Sequence, residues 1–418
     1  MIRRRPDNIG LTTLLVATRR VMEPLLLGVL PIAFAVLIMR GEAQIGVLGF
    51  DFKGTIWQPG RDILAGHSPY PQPLPAEMNV GSPSVYPPVA LMLGVPLALL
   101  SFKAALWVWT TALVIAVLAT FRILGIRNWR CYTIALGSCA VVFGVVLGNI
   151  VVLLAPLAAY IWRHRDSTSR SGLALGLAIA LKLVLWPLLV WLVVTRRMRA
   201  AAVAVGTAFL STLGAWSVFG FDGFREYPRL LTVNTELYGP HSWSLLAGGI
   251  GLGLPFSVAN ALAAILGLAV LFLTVLLARR PDGDRRAFCV AVLASIALLP
   301  IMWPASLVLL LVPLALLSPS AGRPWFIFSA LWLAAFVPRT LAHVGAPPDG
   351  VPPAVWQMNN SPAPTAQVLV ITILVTAMSI LLLRVTPSAR PPRPGQSAMP
   401  VAASPVSPRP RPLPTSIP

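Results

Sequence analysis

The chain has 418 residues, 57% of them hydrophobic and only 11% charged, with a mean hydropathy of +0.80. A water-soluble domain carries about a quarter charged residues, so a soluble globular fold is excluded and a polytopic, all-α integral membrane protein is expected. The formal charge of +19 does not indicate nucleic acid, because the arginines fall in short clusters at the ends of apolar runs, where they orient helices and meet membrane lipids of anionic charge.

Residues 1–20 carry Arg3, Arg4, Arg5, Arg19 and Arg20 and are expected to form a cytoplasmic basic N-terminus. The apolar run after them reads as a retained first helix over about 24–39, not as a cleaved leader. Residues 40–88 then form a first extracytoplasmic loop, too long for a turn and too rich in aromatic and charged residues for a linker. It holds Glu42, Asp51, Asp62 and Glu77, four of the thirteen acidic residues. Its 55–66 stretch predicts a short surface helix with Trp57, Ile63 and Leu64 toward lipid, or else an irregular loop. A second helix over 86–100 opens on Pro87 and Pro88 and is expected to end at a cytoplasmic turn, 101–103. A third, over 104–121, leads to Arg122, Arg127 and Arg130, which strict alternation would place outside, against the positive-inside bias.

Residues 131–162 exceed one crossing. Gly144 and the pair Gly148–Asn149 are expected to divide them into two short helices, and a polar break inside an apolar run lines a cavity. Arg163, His164, Arg165 and Arg170 form the next loop, on a side the sequence leaves open. One helix spans 172–194 with Lys182 inside it, Arg196, Arg197 and Arg199 close it in the cytoplasm, and another covers 200–219. A second external loop follows at 220–248. Further helices are expected at 256–278, 287–300, 305–317, 324–341 and 366–383. The arginine-rich 279–286 is cytoplasmic, and the hinge Met302–Trp303–Pro304 and residues 342–365 are external. This gives about twelve crossings, a membrane domain over 21–383 with both termini inside, and a disordered Pro/Arg-rich tail at 387–418.

Within this plan, Asp51 is the loop carboxylate around which chemistry is expected, the alternative being a cap on a surface helix. Lys182 is an isolated ammonium among apolar residues and costly in hydrocarbon. It meets an anionic phosphate, snorkels to headgroups or pairs internally. Arg61 has the fork for a phosphate, or is a surface arginine near headgroups. Tyr70, Tyr86, Trp57 and Trp303 stack on a sugar ring or mark the membrane interface. Asn149 lines a pocket or caps a helix. His241, with Glu236 nearby, is a candidate to orient an acceptor, whereas His67 and His164 read as ordinary loop histidines. Cys131, Cys139 and Cys289 are dispersed in apolar context. No HExxH, close carboxylate pair, Cys/His ligand spacing or Walker loop occurs, so neither a metal site nor a cofactor is read.

Several segments together resemble the GT-C glycosyltransferases of glycosyltransferase family 87. They are FDFKG at 50–54, RDILAGHSPYP at 61–71, VYPPVALM at 85–92, LGNIVVLL at 147–154, GLALGLAIALKLVLWPLL at 172–189, TRRMRA at 195–200 and HSWSLLAGG at 241–249. The resemblance spans about 20–383. It implies a polytopic GT-C fold and a multi-pass plasma-membrane enzyme with its active site on the extracytoplasmic side. It also implies transfer of a mannosyl or arabinofuranosyl residue from a polyprenyl-phosphate sugar donor to a cell-envelope glycolipid or polysaccharide acceptor. The family's catalytic aspartate falls on Asp51, as general base, and its Tyr-Pro-Pro on Tyr86, Pro87 and Pro88. The chain departs from the family where PIMWPASLV replaces a Trp-x-His hinge, with Ala305 and Ser306 and no histidine. That departure leaves the fold expectation in place and the sugar open. The competing expectations are a membrane transporter or lipid-linked glycan flippase, and a non-catalytic envelope-assembly scaffold.

Overall fold

In the computed structural model, residues 22–44, 46–70, 84–319 and 325 are described. They are helical, with no strand among them. Segments 1–20, 342–365, 366–383 and 387–418, and all of 324–341 but Trp325, lie outside the described residues.

In chain order the helices are α1 (Met22–Gln44), α2 (Gln58–Leu64), α3 (Pro88–Ala98), α4 (Phe102–Ile123) and α5 (Trp129–Leu136). Next come α6 (Cys139–Leu147), α7 (Val151–Arg163), α8 (Thr168–Leu181), α9 (Pro187–Val194) and α10 (Met198–Val218). The last five are α11 (Tyr227–Tyr238), α12 (Leu245–Gly251), α13 (Phe256–Ala278), α14 (Asp284–Ala297) and α15 (Leu311–Leu317). Among them α1, α4, α10 and α13 are long and apolar enough to cross a membrane, and the pair α5–α6, bent by 56°, makes a fifth span when counted as one.

Basic segments far apart in sequence meet on one face. Arg197 forks Asp284 at 2.8 and 2.9 Å and reaches Asp166 at 3.0 Å. Arg165 lies 3.4 Å from Asp284, and the Trp191 indole donates to the same carboxylate at 2.9 Å. Arg163 donates to the Ile123 carbonyl at 3.3 Å, and Arg130 pairs with Glu23 at the start of α1. The start of α1, the α4–α5 and α7–α8 turns, the α9–α10 turn and the start of α14 therefore lie together.

Two sequence expectations change as a result. Residues 101–103 do not lie on that face. Phe102 stacks on Phe52 of the first loop at 6.2 Å, and the Trp57 indole donates to the Leu100 carbonyl at 3.4 Å. The cause is length: α3 rises about 16 Å, well short of the ~30 Å of hydrocarbon, too short to carry the chain across. With that crossing removed, Arg122, Arg127 and Arg130 share the face of the other arginine clusters, and the conflict with the positive-inside bias disappears. Likewise 172–194 is a hairpin and not one helix. Asp166 precedes α8 and Arg197 follows α9, yet they pair, and the turn falls at Lys182, whose backbone is extended (φ −162°, ψ 125°). Pro187, in the first turn of α9, restarts the helix where its missing donor costs nothing.

Close packing fixes the remaining geometry. Gly172 and Gly176 let α8 meet α10; a Cβ at Gly176 would stand 2.5 Å from the Ala204 carbonyl oxygen. Gly144 is not a break: it sits within α6, where its bare Cα admits Val152, and the breaks fall at Gly137–Ser138 and Gly148–Asn149. Nor does Trp57 face lipid. The first-loop helix, a π-helical turn over Lys53–Trp57 followed by α2, is pressed on α3, where a Cβ at Gly60 would lie 2.4 Å from the Gly94 carbonyl. That contact turns Trp57 inward, edge-on to Phe102 at 5.3 Å.

Labelling can check this topology, because the three native cysteines are all buried. A cysteine placed at exposed Lys103 is expected to react with an impermeant thiol reagent from the same side as one at exposed His67, and one at Arg127 from the opposite side. Reaction of the 103 and 127 positions from one side would overturn the arrangement.

Candidate active site

After α1 the chain doubles back through Gly46 and Gly49, both left-handed (φ 74° and 73°). At Gly49 a side chain is excluded twice, by its φ and by Leu106, whose Cδ1 lies 2.5 Å from where a Cβ would be. The Gly49 amide donates to the Val146 carbonyl at the end of α6 (2.7 Å), which places the next turn, Phe50–Phe52, against the α6–α7 break. Phe52 is fully buried and stacks on Trp109 at 5.3 Å, so Asp51 points the other way and is largely buried, with an edge left open.

The α6–α7 break is built to hold Asn149. Gly148 ends α6 in the left-handed region (φ 73°), and the Trp109 indole donates to its carbonyl at 2.8 Å. The Asn149 side chain, 3% exposed, accepts from the Val151 amide at 3.0 Å and donates to the Asp51 carboxylate at 2.7 Å. One side chain thus binds the amide at the start of α7 and orients Asp51. Gly148→Ala would set a methyl 2.6 Å from Phe52 Cβ at an unfavourable φ. It is expected to cost about 2–5 kcal/mol, read as a lowered unfolding temperature of the purified protein. Unchanged stability would show that the break relaxes freely.

Two further residues complete the cluster. Tyr86 is 8% exposed, and its phenol faces Asp51, Thr55 and Asn149. The Lys182 ammonium sits over the Tyr86 ring, 4.7 Å from its centroid, close enough to attract Asp51 electrostatically. Lys182 makes no ion pair within 4.0 Å among the described residues. Burial pushes the Asp51 carboxyl above the usual carboxylate range, while the Asn149 amide and the Lys182 charge pull it back. The first loop, the start of α3, the α6–α7 break and the α8–α9 turn thus converge on four side chains, each a sequence candidate.

The other candidates lie outside this group. Tyr70 is one layer back: its hydroxyl donates to the Tyr86 carbonyl (3.0 Å) and its ring stacks on Trp216 (4.9 Å). Arg61 is exposed and covers the Trp57 ring at 5.2 Å. His241 is half-buried between α11 and α12, where burial lowers its pKa, and Trp303 is half-buried before the 3-10 turn Pro304–Leu310. Among the described residues no group of three or more His, Cys, Asp or Glu side chains is arranged to hold a metal ion.

Sequence reasoning missed Thr55, Trp216 and Tyr227. The Tyr227 hydroxyl donates to the Val85 carbonyl at 3.0 Å, and its ring meets Tyr70 at 5.2 Å. Tyr70 and Tyr227 therefore hold two successive carbonyls, those of Tyr86 and Val85, from opposite loops. A signal was present: three of the six tyrosines, Tyr70, Tyr86 and Tyr227, precede a proline, and these three converge.

The chain matches the profile of "Glycosyltransferase family 87" over residues 85–306, a span that contains Tyr86, Asn149 and Lys182 and begins after Asp51. It is similar to the polyprenol-phosphate-mannose-dependent alpha-(1-2)-phosphatidylinositol pentamannoside mannosyltransferase of Mycolicibacterium smegmatis. The two are 28% identical over 304 residues, 63% of this chain and 71% of that protein. No solved structure matches the chain.

Proposed function

The chain belongs to glycosyltransferase family 87, and on that footing we propose that it moves a mannosyl or arabinofuranosyl residue from a polyprenyl-phosphate sugar to an envelope glycolipid or polysaccharide. The donor and acceptor classes follow the mannosyltransferase it is similar to. The observation that carries the reading is the cluster itself: a carboxylate held by the Asn149 amide, near an ammonium that among the described residues has no carboxylate within ion-pair distance.

In this reading the acceptor hydroxyl attacks the anomeric carbon as the bond from that carbon to the phosphate oxygen breaks. Asp51 takes the hydroxyl proton, and polyprenyl phosphate leaves with the electron pair. Lys182 neutralises the leaving phosphate, which needs little protonation, so a single carboxylate suffices. Asn149 keeps one Asp51 oxygen engaged and leaves the other for the acceptor. Tyr86 screens Lys182 from lipid and offers its ring edge to the sugar.

Sidedness follows from charge. The arginine clusters share one face, which the positive-inside bias makes cytoplasmic, and the site lies at the other ends of the helices they cap. Its depth suits a lipid-borne phosphate. The thirteen residues of α7 rise about 20 Å from the basic face to Asn149, whereas the 21 of α10 rise about 31 Å. The cluster thus sits below the outer membrane boundary, in a GT-C architecture of about twelve crossings in the plasma membrane.

Purified protein offered polyprenyl-phosphate mannose, polyprenyl-phosphate arabinofuranose and nucleotide sugars, each with a glycolipid acceptor, tests the proposal. Transfer from one of the lipid-linked donors is expected. Transfer from nucleotide sugars alone would overturn it.

A further inference from the structure

A second polar concavity lies on the same side as the candidate active site, between α11, the start of α13 and the turn at Pro300. It is an open groove of about 360 Å³, within the ~300–1,000 Å³ usual for small-ligand sites. Thr232, Thr235 and Glu236 line it from one face of α11, and Phe256 and Asn260 from the first turns of α13.

Its chemistry is specific. Thr232 and Thr235 spend their hydroxyl protons on the Pro228 and Leu231 carbonyls (3.1 and 2.9 Å), so their oxygens face the groove as acceptors. Glu236 and Asn260 are exposed, and neither forms a hydrogen bond or ion pair with a described residue. In a chain with 32 basic and thirteen acidic residues, a bare carboxylate at the membrane boundary is an unusual choice. It repels phosphate headgroups, which argues against a bound anionic lipid. A carboxylate, an amide with both donor and acceptor, two hydroxyl acceptors and one aromatic ring together suit a neutral polyhydroxyl ligand with an apolar ring face.

The groove is tied mechanically to the reacting centre. Tyr227, the first residue of α11, holds the Val85 carbonyl beside Tyr86. Glu236 stands nine residues further along the same helix, about 14 Å away along its axis. The turn after α14 is anchored too, through the Trp243 amide on the Met302 carbonyl at 2.7 Å.

We propose that this groove is a glycan subsite that holds the inner sugars of the acceptor while the hydroxyl of its terminal sugar reaches Asp51. The proposal rests on the transfer reaction above and adds to it the length of acceptor the protein prefers. A neutral oligosaccharide bridging the groove and Asp51 would be aligned by α11 alone. A single-sugar acceptor would reach Asp51 without touching Glu236.

The test compares wild type with Glu236→Gln and Asn260→Ala on two synthetic lipid acceptors, one with a single mannose and one with four. With the four-sugar acceptor each variant is expected to raise KM about tenfold, the loss of one hydrogen bond to a charged or amide group. The kcat and the donor KM should stay within about twofold. With the single-sugar acceptor nothing should change. Equal effects on both acceptors, or none on either, would overturn the subsite while leaving the transfer reaction in place. If wild type transfers to neither acceptor, the transfer reading fails, and binding of free mannotetraose followed by NMR then decides the groove. Binding by wild type that weakens in Glu236→Gln supports it; no binding, or equal binding, refutes it.

Discussion

Asp51→Asn is expected to slow sugar transfer by about 10²–10⁴, the usual worth of a general base, with donor binding nearly unchanged. Shape and hydrogen-bonding reach are almost kept, since the new amide can still present an oxygen to the Asn149 amide N–H. Basicity is what is lost. The pH dependence gives the assignment a second readout. Only ionised Asp51 accepts the proton, so wild-type turnover rises with pH through an apparent pKa, and burial sets that pKa above the usual carboxylate range. The midpoint belongs to the Asp51–Lys182 pair and not to either residue alone. The variant should lack this acid limb. Stability should move the other way. A carboxyl whose folded pKa is raised binds its proton more tightly folded than unfolded, so it lowers stability as pH climbs out of the ordinary carboxylate range. At neutral pH the variant is therefore expected to unfold no earlier than wild type. Early unfolding together with lost activity would point to a structural aspartate. Near-normal turnover of the folded variant would move the search to Asp62.

Lys182→Met is expected to reduce turnover by about ten- to a thousandfold, the loss of about 1.4–4 kcal/mol of transition-state stabilisation. The ammonium sits at the one extended residue between α8 and α9, over the Tyr86 ring, where methionine fits by length and apolarity. The substitution also removes the charge that pulls the Asp51 pKa down. The acid limb of the pH–rate profile should consequently shift to higher pH. A lysine that only snorkels to headgroups would change neither the rate nor the profile. Measuring kcat against pH in both proteins separates the outcomes.

Much of the site was legible in the sequence because its residues are costly where they stand. Lys182 and Asn149 interrupt apolar runs, and a polar group in such a run must find a partner. Asp51 and Tyr86 also stood on segments resembling a known family. What was not legible is where the chain turns. Apolar composition cannot distinguish a helix that crosses from one that enters and returns, and α3 and the α8–α9 hairpin are both as apolar as true spans. For the hairpin, the cue lay in Lys182 followed by Pro187. Trp57 was assigned to lipid because it is a loop tryptophan near a membrane, yet the Gly60–Gly94 approach turns it inward. Tyr227 and Trp216 were missed because contacts between segments so far apart in the chain leave no local pattern. The recurrence of Tyr-Pro was their only trace.

The most direct measurement is the structure of Asp51→Asn trapped with polyprenyl-phosphate mannose and imaged in a lipid nanodisc. The donor phosphate is expected in contact with the Lys182 ammonium. The anomeric carbon should face position 51 beside Asn149, with the prenyl chain leaving sideways into the bilayer. A donor bound on the arginine-rich face, or one whose phosphate lies away from Lys182, would contradict this arrangement.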